Sequence, residues 1–269
     1  MTDLAERFLS LHRSGSPLLM PNPWDRGSAR LFESLGFEAL ATTSSGSAAT
    51  LGRLDGGVTR EEAIAHAATI VDAVAVPVSG DLENCFADDP AGVAQTVRLA
   101  IDAGLAGCSV EDYSGPGSDT IYDAGLAAER VTAAVEAAHA GPGSFVLTAR
   151  AENHVHDRDD LDDTLARLQS FQEAGADVLF APGLRDLETI RAVISSVDRP
   201  VNVLALPGMP SVSELADAGV SRISVGGSLA YAAYGAAVEA GRELLDSGTY
   251  GYGELAAAGG KAVRAAFGS

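Results

Sequence analysis

The chain has 269 residues, 46% of them hydrophobic, which is enough to build one large domain or two small ones. Its formal net charge of −19 argues against a nucleic-acid ligand, which needs clustered Lys and Arg, and against an anionic membrane surface. Its two cysteines are too few for a disulfide framework, and no stretch matches the roughly 20 apolar residues of a membrane span, so we expect a cytoplasmic protein with reduced thiols.

Residues 1–16 predict an amphipathic N-terminal helix, with Leu4, Phe8 and Leu11 on one side. After it, one pattern recurs along the chain: the end of a helix, a glycine and a short apolar run. The glycine suits the left-handed position that ends a helix, and the apolar run suits a strand that is covered on both faces. This pattern occurs at residues 33–42, 102–111, 173–182 and 217–226.

Helix starts are marked by possible capping boxes at residues 59–62 and 211–214, and by Asp89 before Pro90. Strands are predicted near 18–21, 38–42, 76–79, 107–110, 145–149, 177–180, 201–204 and 222–225. Helices are predicted near 26–35, 60–74, 90–103, 124–139, 160–174, 186–196, 211–218 and 229–246. Eight strand–helix units in about 250 residues are typical of an α/β protein with a (β/α)8 TIM barrel. An open doubly wound sheet is the alternative, but the PNPWDRG segment after strand one lacks a G-x-G-x-x-G pattern.

No linker rich in Pro, Ser or Gly divides the chain, so we expect a single barrel domain over residues 1–269. Its last segment, residues 249–269, is first glycine-spaced and then predicts a short helix from about Glu254 to Phe267. The apolar face of that helix must dock against the chain's own barrel or against a partner subunit.

Carboxylates cluster where two predicted strands end. Asp81 and Glu83 follow the third strand, and Glu111 ends the fourth. The carboxyl ends of barrel strands carry the active site, and a charge beside the core must be solvated, paired or bound to a metal. Three hard oxygen donors on neighbouring strands suit Mg²⁺, with Mn²⁺ as the alternative cation. The sequence therefore predicts a divalent-cation site formed by these three acids.

The other strand ends predict a binding site for a small anion. Arg150, at the end of the fifth strand, offers a planar pair of donors to a carboxylate. Hydroxyl and backbone N–H groups suited to an anionic oxygen follow strand two, at Ser44, Ser45 and Gly46. Strands one and seven contribute Trp24 and Asn202. Together these groups suit a small 2-oxo or 2-hydroxy carboxylate, and the cation would stabilise an enolate formed from it.

Several of these residues also have simpler interpretations. Asp55, beside two glycines, suits a turn; the serines suit an ordinary polar loop; and Trp24 suits the core. His154 and His156 form an H-x-H pair in a charged loop, a pattern that is more often on the surface. Cys85 lies near the acids, but its charged neighbours are acidic and would not lower its thiol pKa.

Strand ends two to five carry the segments SSGSAATLGRLDGG, SGDLENCF, SVED and LTARAEN. With these motifs in this order and spacing, the chain resembles the isocitrate lyase/phosphoenolpyruvate mutase superfamily over nearly its whole length. The resemblance implies a Mg²⁺-dependent enzyme that makes or breaks C–C or P–C bonds in 2-oxo or 2-hydroxy carboxylates through an enolpyruvate-like intermediate. It also implies a homodimer or homotetramer whose subunits exchange the C-terminal helix.

By position, the resemblance assigns the metal to Asp81, Glu83 and Glu111, and the substrate carboxylate to Ser44, Ser45 and Gly46. Arg150 would bind the substrate itself. Asp55 matches an acidic residue near the metal and the reacting group, which makes it a catalytic candidate. Glu83 stands where aspartate is common in the superfamily, and its longer reach would alter the metal shell.

The loop after Glu111 departs from the superfamily pattern. The lyases carry a K-K-C-G-H-type motif there, whose cysteine acts as general acid, and the P–C mutases carry an asparagine. Here the loop reads YSGPGSDTIYDAG, without cysteine, lysine, histidine or asparagine. Loss of CO₂ from an oxaloacetate-like acid is the chemistry least in need of such a group. Tyr113, Ser114 or Tyr122 would be the hydroxyl donor, and we select Tyr113.

Three functions therefore remain open at this point. The first is a Mg²⁺-dependent lyase or decarboxylase of a small 2-oxo or 2-hydroxy dicarboxylate. The second is a P–C bond enzyme, either a phosphonopyruvate hydrolase or a phosphoenolpyruvate mutase-like protein. The third is a protein that binds a 2-oxo acid without turning it over.

Overall fold

The computed structural model describes residues 4–118, 120–141 and 143–268. Within them, eight strands form one parallel sheet: β1 (Leu18–Met20), β2 (Leu40–Ala41), β3 (Val78–Asp81), β4 (Gly107–Glu111), β5 (Val146–Arg150), β6 (Val178–Phe180), β7 (Val201–Leu204) and β8 (Arg222–Ser224). The strands lie in the order β1-β8-β7-β6-β5-β4-β3-β2. A 3.2 Å hydrogen bond from the Ala41 N–H to the Pro21 carbonyl links the two remaining edges. The predicted (β/α)8 barrel is confirmed.

Helices alternate with these strands: α1 (Leu4–Ser10), α2 (Arg26–Ser34), α3 (Ser44–Thr50), α4 (Arg60–Val71), α5 (Pro90–Asp102), α6 (Ala124–Ala138), α7 (Leu161–Glu173), α8 (Leu187–Ser196), α9 (Val212–Asp217), α10 (Ser228–Asp246) and α11 (Gly253–Phe267). A 3-10 helix, Asn153–His156, follows β5. In the part of the chain that the structure describes, no helix combines the length and the apolar composition needed to cross a membrane.

Local sequence sets where these helices begin. Thr59 and Ser211 start α4 and α9 with reciprocal capping boxes, and Asp89 caps α5 ahead of Pro90, as predicted. Helix α3 was instead predicted as a polar loop. Thr43 starts it, because its side chain accepts a hydrogen bond from the Gly46 N–H and so satisfies a free donor of the first turn.

Helix α1 packs against the amino ends of the strands, at the opposite end of the barrel from their carboxyl tips. Phe8 is fully buried there, in a cluster that includes Leu18, Val146 and Val178. The predicted helix over residues 1–16 is shorter in the structure and ends at Ser10, and Leu4 is exposed rather than packed. Residues 1–3 lie outside the described residues.

The C-terminal helix packs against its own barrel at one end. Arg30 of α2 donates to the Ala266 carbonyl at 3.2 Å, and its guanidinium lies 5.1 Å from the centre of the Phe267 ring. Apolar side chains remain exposed along α10 and α11: Tyr231, Tyr234, Val238, Leu244, Leu245, Leu255 and Val263. Exchange of the 249–269 tail between subunits stays a prediction, and Ser269 lies outside the described residues.

Candidate active site

Arg150 stands at the centre of the acidic residues at the strand ends. Its Nη1 lies 3.0 Å from Asp81 Oδ1 and 2.8 Å from Glu111 Oε1, and its Nε lies 2.7 Å from Glu152 Oε1. The strands impose this arrangement, because Glu111 and Arg150 are register partners on β4 and β5 and Asp81 ends β3. The guanidinium also lies 4.9 Å from the centre of the Phe180 ring.

These ion pairs are largely removed from water, since the Arg150 side chain is 15% exposed. Burial alone would lower the pKa of the Arg150 guanidinium, but Glu111, Glu152 and Asp81 outweigh it and raise that pKa, so Arg150 stays charged. Burial raises the pKa of the Glu111 and Glu152 carboxyls by more than Arg150 lowers it. A single guanidinium therefore does not balance the acids around it.

Two further acids add to this negative charge. Burial, followed by repulsion from Asp81 and Asp55, raises the pKa of Glu83 to about 7. Burial, followed by repulsion from Asp81, also raises the pKa of Asp55. Glu83 has left-handed backbone, with φ of 51°, and its buried Oε1 has no hydrogen-bond partner among the described residues. A buried carboxylate oxygen without a donor can be satisfied by a bound cation, by water or by protonation.

The carboxylate oxygens of Asp81, Glu83 and Glu111 are suitable ligands for a divalent cation, but they are not arranged around a single metal position. Asp81, Glu83 and Glu111 are hard oxygen donors in a region of excess negative charge, and Glu83 Oε1 is unpaired. Within the described residues, however, no three His, Cys, Asp or Glu side chains are grouped closely enough to hold a metal ion. Nη1 of Arg150 contacts both Asp81 and Glu111 instead. The assignment of these three acids as metal ligands stays a prediction.

Two adjoining cavities open at this end of the barrel. The inner one, of about 200 Å³, reaches into the barrel and is lined by residues that include Ser44, Ser45, Asp55, Asp81, Arg150, Asn202 and Arg222. The outer one, of about 340 Å³, is lined by residues that include Ser44, Asp55, Glu83, Glu111, Tyr113, Arg150, Glu152 and His156. The structure thus brings most of the predicted site residues to these two cavities, and Ser44, Asp55 and Arg150 line both.

Gly46 and Trp24 lie behind the cavity wall rather than on it. A Cβ added to Gly46 would come within 2.6 Å of the Thr43 side chain and 3.0 Å of Trp24 Cβ, so a glycine is required there. The Trp24 ring packs edge-to-face on Phe32, 6.1 Å between centres. The backbone N–H of Ser44, expected to face an anionic oxygen, donates to Asp81 Oδ2 at 2.9 Å.

Residues 8–245 match the family model described as phosphoenolpyruvate phosphomutase. The chain belongs to the phosphoenolpyruvate phosphomutase family. This confirms the superfamily predicted from the strand-end motifs, a superfamily of lyases and mutases, and with it an enzyme.

Its relatives span several activities of the family. A lyase/mutase candidate from Burkholderia cenocepacia J2315 has a TM-score of 0.90 and 49% identity, covering 94% of this chain and 93% of its own. The uncharacterized protein Rv1998c of Mycobacterium tuberculosis is 32% identical over 241 residues, 89% of each chain. Oxaloacetate decarboxylase 2 of Pseudomonas fluorescens is 29% identical over 256 residues, 93% of this chain and 86% of the relative. Other relatives are described as 2-methylisocitrate lyase, 2,3-dimethylmalate lyase and oxaloacetate acetylhydrolase.

The loop in which family lyases carry their cysteine is tied down at its base here. Tyr113 and Ile121 form an isolated antiparallel bridge, and the Ser114 N–H donates to the Thr120 carbonyl at 2.8 Å. The Tyr113 ring stacks on His156, with 3.7 Å between ring centres and 21° between planes. His156 is half-buried and lines the outer cavity, beside the proposed site. Only its position just after β5 could have indicated this.

Two buried arginines, Arg130 and Arg222, were not predicted from the sequence. The first of them supports the backbone segments that carry Glu83 and Glu111. Arg130 of α6 is 1% exposed. It donates to the Glu111 carbonyl at 2.8 Å and to the carbonyls of Asn84 and Ala87 at 2.6 and 2.9 Å. The turn after β3 needs this support, because Glu83, Cys85 and Phe86 all have left-handed backbone, which L residues adopt at a cost. Arg130 thus fixes the backbone that carries Glu83 and Glu111.

Cys85 belongs to the same turn and is not a nucleophile. Its thiol is fully buried, and burial raises its pKa to about 12. Arg130, the only cation among the causes of that shift, lowers the pKa by less than burial raises it. The thiol therefore stays protonated at neutral pH and acts as a packing group, which agrees with the prediction from its acidic neighbours.

Replacing Arg130 with leucine is expected to lower the free energy of unfolding by about 3 kcal/mol, because three partly buried carbonyls lose their donor. Denaturant unfolding at neutral pH measures the change. Arg98→Leu, on the exposed face of α5, is the matched control and should change stability by less than about 0.5 kcal/mol. Equal losses in the two variants would show that the carbonyl contacts contribute nothing.

Proposed function

We propose that the chain is a Mg²⁺-dependent lyase that removes CO₂ from a small 2-oxo dicarboxylate of the oxaloacetate type. The carrying observation is the set of five carboxylates around Arg150 at the mouth of two small adjoining cavities. A relative described as oxaloacetate decarboxylase, similar over 93% of the chain, supports the same reaction.

In this proposal Asp81, Glu83 and Glu111 hold the cation, some through water, and Mn²⁺ can replace Mg²⁺. The cation, when bound, supplies positive charge that favours an enolate. Glu83 Oε1, which is buried without a donor, supports this role best. Five acids around a single arginine would otherwise be strongly unfavourable in so buried a place.

The inner cavity binds the carboxylate next to the 2-oxo group. Ser44 and Ser45 line it on one side and Asn202 on another. Gly46 and Trp24 act from behind, by fixing the position of the first turn of α3. Arg150, which lines both cavities, orients the substrate between them, and Asp55 lies along the same path.

The reaction breaks the C3–C4 bond, leaves its electron pair as an enolate and releases CO₂; C3 then takes up a proton. Without a cysteine in the loop, Tyr113 is the proposed donor, because its ring lines the outer cavity. The stacked His156 would hold that ring in place. Water is the alternative donor, since an enolate of this kind can be protonated by solvent.

A P–C bond activity is the second candidate, because the matching family model carries the phosphomutase name. The loop from Tyr113 to Gly125 has no lysine, histidine or asparagine to handle a phosphoryl group, which favours decarboxylation over it. We also propose a cytoplasmic homodimer or homotetramer, in which a second copy covers the exposed apolar side chains of α10 and α11.

Incubation with oxaloacetate and Mg²⁺ is expected to yield pyruvate faster than Mg²⁺ alone. EDTA should remove the activity, and added Mg²⁺ or Mn²⁺ should restore it. ³¹P NMR with phosphonopyruvate, run in parallel, tests the second candidate. A rate equal to that of free Mg²⁺, together with tight binding of oxalate, would replace the decarboxylase with a non-catalytic binder of 2-oxo acids.

A further inference from the structure

The inner cavity has an unusual floor. Barrel interiors are normally filled by layers of branched apolar side chains, but polar residues line this one, including Ser79, Ser109, Asn202, Ser224 and Arg222. Arg222, the first residue of β8, is 3% exposed. Its Nε donates to Asn202 Oδ1 at 2.9 Å and its Nη1 to Thr148 Oγ1 at 3.1 Å. A guanidinium is therefore held in a fixed position beside the cavity.

The partners of Arg222 are all neutral. Its Nη1 also lies 3.3 Å from His12 Nε2, and His12 Nδ1 lies 2.9 Å from the Phe8 carbonyl oxygen. Burial, followed by repulsion from Arg222, lowers the pKa of His12 to about 3, so this imidazole carries no charge at neutral pH. Among the described residues, no carboxylate oxygen lies within 4.0 Å of the guanidinium.

Arg222 is nevertheless charged. Burial, and repulsion from Arg150, lower its pKa to about 9, which is still above neutral pH. A buried charge without a counter-charge is strongly unfavourable, and an anion bound beside it removes much of that cost. The unpaired charge of Arg222, which destabilises the barrel without a ligand, thus favours binding of an anion.

Arg150 and Arg222 differ in whether a carboxylate already contacts them. Arg150 already contacts three carboxylates through Nε and Nη1, whereas Arg222 contacts none. We propose that Arg222 is the counter-charge for the substrate carboxylate that stays on the product, with Asn202 holding the guanidinium in position. This assignment rests on the proposed function for the identity of the substrate, but not for the presence of an anion site.

This arrangement also suits the chemistry. The leaving carboxylate of a 2-oxo dicarboxylate must lose its charge, so a cation beside it would slow the reaction. With the retained carboxylate at Arg222 on the barrel floor, the 2-oxo oxygen faces the cation proposed at Asp81, Glu83 and Glu111, and the leaving carboxylate lies away from Arg222. The substrate is then oriented by the charge difference between the two ends of the site.

Calorimetric titration of Arg222→Gln with pyruvate and with oxalate, in the presence of Mg²⁺, tests the assignment. Both affinities should fall about 10- to 100-fold, the size expected for a lost charged contact. The affinity for pyruvamide, which lacks the carboxylate charge, should change less than about threefold. Arg222→Lys should recover part of the pyruvate affinity, because it keeps the charge but not the fork of donors.

Arg98→Gln is the matched surface control, and thermal unfolding reports whether each variant folds. Arg222→Met serves if the glutamine variant does not fold. Equal losses for pyruvate and pyruvamide would indicate a purely structural role and overturn the proposal, as would unchanged pyruvate binding. If the unaltered protein binds pyruvate through Arg222 but does not decarboxylate oxaloacetate, the proposed function fails while the anion site stands.

Discussion

Replacing Arg150 with methionine is expected to reduce turnover of oxaloacetate by at least about 1,000-fold and to lower the free energy of unfolding by about 3–5 kcal/mol at neutral pH. The reason is the same for both effects. Arg150 is the cation that contacts Asp81, Glu111 and Glu152, and its removal leaves those carboxylates without a counter-charge. Steady-state kinetics and denaturant unfolding measure the two changes.

The loss of stability should depend on pH. Burial raises the pKa of Glu111 and Glu152 above the usual value of a carboxyl, so protonation in the folded state is favoured. The stability that this protonation supplies is present at low pH and is lost as pH rises through the raised pKa values. The deficit of Arg150→Met should therefore be smaller at pH 5 than at pH 8. A deficit that grows at low pH would contradict the charge arrangement described above.

Arg150→Lys separates charge from geometry in this prediction. Lysine keeps one positive charge but cannot reach two sides of the cluster through Nε and Nη1, as Arg150 does. We expect intermediate stability and an activity close to that of Arg150→Met. Full activity in the lysine variant would mean that charge alone is sufficient, and that the fork of donors has no part in orienting the substrate.

The second large effect is expected for Asp81→Asn, with activity falling about 1,000-fold at saturating Mg²⁺. The amide is nearly the same size and its oxygen can still accept from the Ser44 N–H, so α3 stays in place. What is lost is the negative charge between Arg150 and the proposed cation. Titration with Mn²⁺, followed by electron paramagnetic resonance, should show weaker binding as well.

Asp102→Asn, at the exposed end of α5, is the matched control and should retain normal activity and Mn²⁺ affinity. Unfolding curves exclude a general loss of structure in Asp81→Asn. Retained activity together with unchanged Mn²⁺ affinity would remove Asp81 from the metal site. Loss of activity with unchanged Mn²⁺ affinity would assign it instead to orienting Arg150.

Features that depend on residues close together in the sequence could be predicted, whereas contacts between distant residues could not. Strand ends and capping residues are set by neighbours a few residues apart, so the β-strands, the helix starts and the strand-end acids could be predicted. Arg222 and Arg130 could not, because their partners are distant: Thr148 lies 74 positions from Arg222, and Asn84 lies 46 from Arg130. An arginine inside the SRISV strand was the one visible signal, since a charge in a barrel strand is rare.

The ion pairs of the site were also predictable only in part. Asp81, Glu83 and Glu111 were visible from their places at the ends of strands, but the position of Arg150 between Asp81 and Glu111 depends on how β3, β4 and β5 align. Helix α3 was missed for a local reason. Five of its seven residues, SSGSAAT, are serine, glycine or threonine, which form helices less readily than alanine, and the Thr43 cap outweighs them only within the folded barrel.

The bridge between Tyr113 and Ile121 has a consequence for how this scaffold can acquire new substrates. Because the two ends of the loop are joined to each other, and Glu111 is held separately by Arg130, residues 114–120 can be exchanged as a unit. Grafting a loop of different length and composition between those anchors would alter the roof of the outer cavity, to which Gly115 and Pro116 contribute, while Arg130 still holds the Glu111 carbonyl. Divergence in this segment would then reach the rest of the site mainly through Pro116, which lies against Gly56 beside Asp55.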